Sequence, residues 1–186
     1  MYNEPMTNPE QPRDDSYAII SGDTVEIFGQ TFPLEKPRYF EPGKIISFAI
    51  ESTVISYNNR EIPICTRIWL DETGKFHETV IQYGHIYEHK GQFFKIEGGI
   101  SFYPSGNLES FYLNETTETD FIMDGKKLVF YKGQKVAFYE ESGLPKTISL
   151  TRPSVFQGKE YNVIEISEAG EIINRYRDKR WDYDYD

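Results

Sequence analysis

Cysteine is nearly absent: Cys65 is the only one in 186 residues. A lone thiol forms no intramolecular disulfide and builds no cysteine-based zinc site, which fits a reducing compartment and makes a cytoplasmic location the expectation. Long apolar runs are missing too, and nothing approaches the roughly 18 residues that cross a bilayer, so no membrane span is expected. The first residues, "MYNEPMTNPEQPRDDSYAII", have neither a basic n-region nor an apolar h-region, so no secretory signal is read there. Positive charge is scarce, with 20 Lys and Arg against 30 Asp and Glu and a net charge of −10. Phosphates would be repelled by such a surface, so no nucleic acid is expected as partner, whereas a basic protein would suit it. The short signatures of catalysis are missing as well: the chain has no Walker loop, HExxH, GxGxxG or nucleophile elbow. Neither a cofactor nor an enzymatic activity is expected.

Aromatic residues are plentiful, with 14 Tyr and 13 Phe, and they favour strands over helices. The stretch "GGISFYPSGNLESFYL", Gly98 to Leu113, reads as strand, turn, strand, and it has relatives along the chain. These are "YFEPGKIISFAI", "WLDETGKFHETVI", "FYEESGLPKTISL" and "EISEAGEIINRY", aligned on Gly43, Gly74, Gly143 and Gly170 with Gly106 of the first. Four positions before the glycine stand Tyr39, Leu70, Phe102 and Ile166, joined by Phe138 if "EESG" carries one extra residue. Two residues earlier come Ile68, Ile100, Val136 and Ile164, and seven after the glycine come Ile50, Ile81, Leu113 and Leu150. Residues two apart in a strand share a face, so the columns predict one apolar seam. A second set of turns falls between, at Gly29, Asn59, Gly91, Gly125 and Gly158. Asn58-Asn59 and Asp124-Gly125 tolerate the positive φ of tight hairpins. The fold expected is all-β: an array of repeated antiparallel hairpins, about ten strands, forming an elongated or rolled sheet in which each unit buries its apolar side on its neighbours.

Each of "ISFYPSGNLESFYL" and "VAFYEESGLPKTISL" follows a "GK" or "GQ" turn, and both resemble bacterial MORN-type repeat variants, which carry a "YY-x-NG-x-L-x-x" signature. The resemblance spans roughly residues 24 to 174, although the chain has fewer glycines than the full pattern and lacks its paired Tyr/Trp. It implies a repeat β fold. Some such proteins are loosely labelled toxin–antitoxin components, and eukaryotic MORN arrays serve as scaffolding or membrane-associated surfaces. Three regions are expected: a disordered acidic N-terminal arm over 1–20, the repeat domain over 21–174 with about five repeats, and a charged aromatic tail over 175–186. The tail, "RYRDKRWDYDYD", guards the last edge with Arg175, Arg177, Lys179 and Arg180.

Among possible chemical groups, His77, His85 and His89 stand close in sequence. A hairpin about Tyr83 would set His77 opposite His89, but His85 and His89 are about 13 Å apart along a strand and Glu78 and Glu88 alternate to the other face. Two ligands do not make a metal site, so none is expected. Cys65, between alternating apolar residues, reads as a small buried hydrophobe rather than a nucleophile. The residues just past the seam are Phe40, Tyr103 and Tyr139, which alternate to the opposite face and form an outward aromatic row. These are the candidate binding residues. The expected function is a non-catalytic protein–protein interaction module, antitoxin- or immunity-like in its specific form. The alternative is a ligand- or carbohydrate-binding module that uses the aromatic row.

Overall fold

A computed structural model describes residues 14–41, 44–123 and 126–178, which form sixteen strands and no helix. Strands β1 (Ile19–Ser21), β2 (Thr24–Ile27) and β3 (Gln30–Pro33) make a meander of three. The largest sheet takes, in spatial order, β4 (Glu35–Glu41), β5 (Lys44–Ala49), β7 (Arg60–Leu70), β8 (Phe76–His89), β9 (Gln92–Phe102), β10 (Leu108–Leu113) and β13 (Lys135–Ala137), with β6 (Thr53–Tyr57) paired to β7. The third sheet runs β11 (Thr117–Met123), β12 (Lys126–Phe130), β14 (Thr147–Phe156), β15 (Lys159–Ile166) and β16 (Ile172–Tyr176). Neighbouring strands are antiparallel, and among the described residues none of the three sheets closes into a barrel.

Two rows of turns organise these strands. In the row we call the base, Gly74, Gly106 and Gly170 donate their N–H to Asp71, Tyr103 and Ser167 at 2.8–3.0 Å. Gly143 reaches Tyr139 instead, spanning one residue more, as the extra residue in "EESG" requires. The row we call the tips has two-residue loops at Phe28-Gly29, Asn58-Asn59, Lys90-Gly91 and Gln157-Gly158, all with positive φ at both positions. That pair of angles is the hairpin turn whose twist matches its strands. Gly43, Asp124 and Gly125 lie outside the described residues.

Between the rows the hairpins bend. In β8 the pairing of Glu78–Ile81 with Gly98–Ser101 breaks and resumes as His85–His89 with Gln92–Ile96. Elsewhere the bend interrupts a strand altogether, so β3 and β4, β5 and β6, β10 and β11, and β12 and β13 are each one expected strand in two parts. These four interruptions, with β1 added at the start, turn the expected array of about ten strands into sixteen.

Alternation then fills the inside of the curl. Leu70, Phe102, Phe138, Ile166, Ile68, Ile100, Val136, Ile164, Ile81, Leu113 and Leu150 are all buried. Tyr39 departs from its column and is exposed, because it lies on the outermost strand β4, whose pairing with β5 shifts register three times. Ile50 is half-buried. Phe28, Tyr57, Phe76 and Phe102 pack with ring centroids 4.9–5.6 Å apart. A second group joins Phe94, Phe111, Phe130 and Phe138 at 5.1–6.0 Å. Edge-to-face and tilted pairs of this kind add to area burial.

The ends differ from the expected boundaries. Residues 14–20, placed in the arm by the sequence, are hydrogen-bonded to the Gly74 turn: Ala18 N donates to Gly74 O at 3.0 Å and Phe76 N to Ser16 O at 2.8 Å. Lys75 Nζ meets the Asp14 carboxylate at 2.9 Å. The expected tail likewise begins inside structure, since Arg175 and Tyr176 belong to β16. Residues 1–13 and 179–186, including Lys179 and Arg180, lie outside the described residues.

Candidate functional site

Because the hairpins bend, the tips fall onto the base turns. Asn58 of the β6–β7 tip donates through Nδ2 to Gly106 O, and His89 beside the β8–β9 tip donates through Nε2 to Gly143 O at 2.8 Å. These two bridges frame a cleft of about 450 Å³. Its tip wall carries Arg60 and Lys90, and its base wall carries Glu140 and Glu141. Tyr57, Tyr87, Phe102 and Leu108 also line it, and all four are buried residues of the core. The Arg60 guanidinium lies over the Tyr87 ring, 4.9 Å from its centroid, and Nη1 donates to Glu88 O at 2.7 Å. Burial, chiefly, pushes the Tyr57 phenol up to about 12 and raises Tyr87 as well, so both hydroxyls stay neutral. Burial also lowers His89, with the Arg60 and Lys90 cations adding to the effect against the raising hydrogen bond to Gly143.

The aromatic row is placed unevenly. Phe40 is exposed, whereas Tyr103 and Tyr139 are half-buried. Tyr103 Oη donates to Phe138 O at 2.7 Å and Tyr139 Oη to Ile166 O at 2.8 Å. Each tyrosine thus clasps the seam residue of the following hairpin. Lys146 Nζ sits 5.6 Å from the Tyr103 ring and 5.4 Å from the Tyr139 ring, and Lys44 Nζ sits 5.7 Å from that of Phe40. A cation therefore occupies the vicinity of every ring in the row. Only Tyr139 of the three reaches the cleft.

No hairpin forms about Tyr83, and the turns flanking this strand are those at Gly74 and Gly91. Gly84, with φ +77, takes up a bulge within one continuous strand, so His77 and His89 stand at opposite ends of β8 rather than face to face. His77 Nδ1 is bonded to Phe102 O at 2.9 Å. Among the described residues no group of three or more His, Cys, Asp or Glu is placed to hold a metal ion. Cys65 Sγ contacts Ile81 O at 3.4 Å, away from the carbonyl that engages His77.

Sequence reasoning missed a second surface. Tyr83, Ile86 and Phe93, at 72%, 62% and 69%, are among the most exposed large apolar side chains among the described residues. Ile86 is opposite Lys95 and Phe93 opposite Glu88, while between them the buried Tyr87 faces the buried Phe94. Ile86 and Phe93 are therefore diagonal neighbours on the outer face. The signal was present in "IY" and "FF": two large apolar residues in a row in a strand must present one to each side. Arg60 and Lys90 were passed over because each follows or starts a turn, where charge is ordinary.

Compared with family models, curated proteins and solved structures, the chain finds no match. Among the described residues no helix is long and apolar enough to cross a membrane.

Proposed function

We propose that the protein is a non-catalytic interaction module whose partner is another protein, seated on the outer face of the β8–β9 hairpin. The observation that carries this reading is the exposed diagonal pair Ile86 and Phe93, with the exposed Tyr83 earlier on the same strand of the largest sheet. Around Ile86 and Phe93 the two strands pair with each other, beyond the last register partners at Ile81 with β7 and Ile96 with β10, and the side chains that protrude there are what a partner would engage. Large aromatic and aliphatic side chains with charged neighbours, here Glu88 and Lys95, have the composition of a docking patch with a polar rim. The net charge of −10 favours a basic partner, and an antitoxin- or immunity-like pairing with a basic protein is the specific form of the reading. This keeps the MORN-type resemblance as a proposal about architecture and use. A photo-cross-linking residue at position 93 should capture one protein in cells that the same residue at position 156 does not, and Ile86→Asp should abolish the adduct. Adducts that are equal at both positions, or unaffected by Ile86→Asp, would remove this surface from consideration.

A further inference from the structure

The cleft between the two turn rows takes no part in that docking face, and its charges are arranged differently. Cations and carboxylates stand on separate walls, with apolar Phe102 and Leu108 also lining the space. Arg60 is held in place twice, by the Tyr87 ring beneath it and by the Glu88 carbonyl. A guanidinium fixed in this way, with Nη1 engaged by Glu88 O, has its other N–H groups to offer a carboxylate. On the opposite wall it is the backbone that is tied down. Asn107 Nδ2 donates to Glu140 O at 3.1 Å, and Glu141 N donates to a Glu168 carboxylate oxygen at 3.3 Å.

We propose that the cleft binds a short, unblocked peptide, its α-carboxylate on Arg60 and Lys90 and its ammonium group on Glu140. A purely anionic ligand such as a phosphate would face Glu140 and Glu141, and a neutral sugar would leave all four charges without a counterpart. A zwitterion answers both walls at once. The volume of about 450 Å³ lies in the lower part of the range for small-ligand pockets, roughly 300–1,000 Å³, which suits a few residues and not a long chain. Since both termini must lie within that space, the ligand is a free peptide and not the end of a larger protein.

The test uses the full chain and the tripeptide Gly-Leu-Gly, with its N-acetyl and C-amide forms, in isothermal titration. The free tripeptide should saturate the site, and either blocking group should weaken it by about fivefold or more, as loss of one charged hydrogen-bonded contact does. Arg60→Gln should weaken the free tripeptide about tenfold and leave the amide unchanged, while Glu140→Gln should do the same for the free form and spare the acetylated one. If circular dichroism shows Arg60→Gln to be misfolded, Lys90→Gln on the exposed tip carries the same comparison. No saturable binding up to about 10 mM, equal affinity for blocked and free peptide, or an Arg60 effect that persists with the amide would each overturn the proposal. None of these outcomes depends on the protein partner at the β8–β9 face.

Discussion

The two rows of turns solve the same problem in different ways. Every described tip loop has two residues, both at positive φ, and the loop length never varies. The base turns need one glycine and tolerate "DETG", "PSG", "EESG" and "SEAG", including one that is a residue longer. A two-residue hairpin fixes register, and a slip of one residue would turn the whole seam outward. The constancy of the tips therefore protects the core, and the latitude of the base leaves its side chains free to differ. Charge follows the same division. Asp71, Glu72, Glu140, Glu141 and Glu168 lie within the base turns, with Lys75 just past one of them, while Lys90 lies in a tip loop and Arg60 and Lys159 directly follow one. Curling one row onto the other is what sets opposite charges across a cleft.

Five substitutions sharpen that contrast. The largest effect is expected beneath the base row, where Phe138 packs against Phe111 at 5.3 Å and supports the His89 ring at 4.4 Å. Phe138→Ala should cost about 3–5 kcal/mol, read from the urea midpoint, as truncating a buried aromatic does. A cost below about 1 kcal/mol would mean that the tip row, not the seam, holds the roll together. Next, Gly74→Ala and Gly106→Ala both force alanine into positive φ, at about 1–2 kcal/mol each. At Gly106 a Cβ would also collide with the Asn58 amide, whereas at Gly74 it meets nothing within 4 Å. Gly106→Ala should therefore cost about 1 kcal/mol more, the worth of the bridging hydrogen bond. Equal costs would show the bridge to be idle.

A smaller effect separates the rows by pH. Burial holds the folded-state pKa of His89 below 6.5, so as pH falls through 6.5 the unfolded chain takes a proton before the folded one. Stability is thus intact above 6.5 and declines below it until the folded pKa is reached. His85, also lowered by burial, contributes in the same direction. His89→Gln should flatten part of this slope, and a variant that titrates like the parent would disprove the assignment. The smallest effect is at Asp14, which hydrogen bonds from Ser16 and Lys75 lower from 3.8 to about 2. Its contribution is present above pH 3.8 and lost toward pH 2. Because the side chain is half exposed, Asp14→Asn should cost less than about 1 kcal/mol at neutral pH, measured by thermal melting.

Much of the array was legible because its rules are local. Glycine spacing marked both rows, and period-two alternation marked Phe102, Phe138, Ile100 and Ile164 as core. The lapses have local causes too. Tyr39 sits on an outermost strand with shifted register, and Gly84 puts a bulge inside a strand at a position that belongs to neither row of turns. The cleft was not legible at all. It depends on contacts between residues 48 and 54 apart, Asn58 with Gly106 and His89 with Gly143, and nothing near Asn58 in the sequence announces its distant acceptor. The aromatic row was found by residue type, but Tyr103 and Tyr139 spend their hydroxyls on the next hairpin.

Those same separations bear on how the chain is made. A tip cannot close until its acceptor, some fifty residues later, has left the ribosome, which at about 5–20 residues per second means a wait of several seconds. We expect the roll to lock in order from its N-terminal end, with each bridge left open until the following turn emerges. Stalled chains ending at about residue 100 plus the tunnel-spanning length should resist protease no better at Asn58 than an Asn58→Ala chain of that length, and gain protection only once Gly106 is exposed. If protection appears before then, the hairpins fold as independent units and the bridges come last.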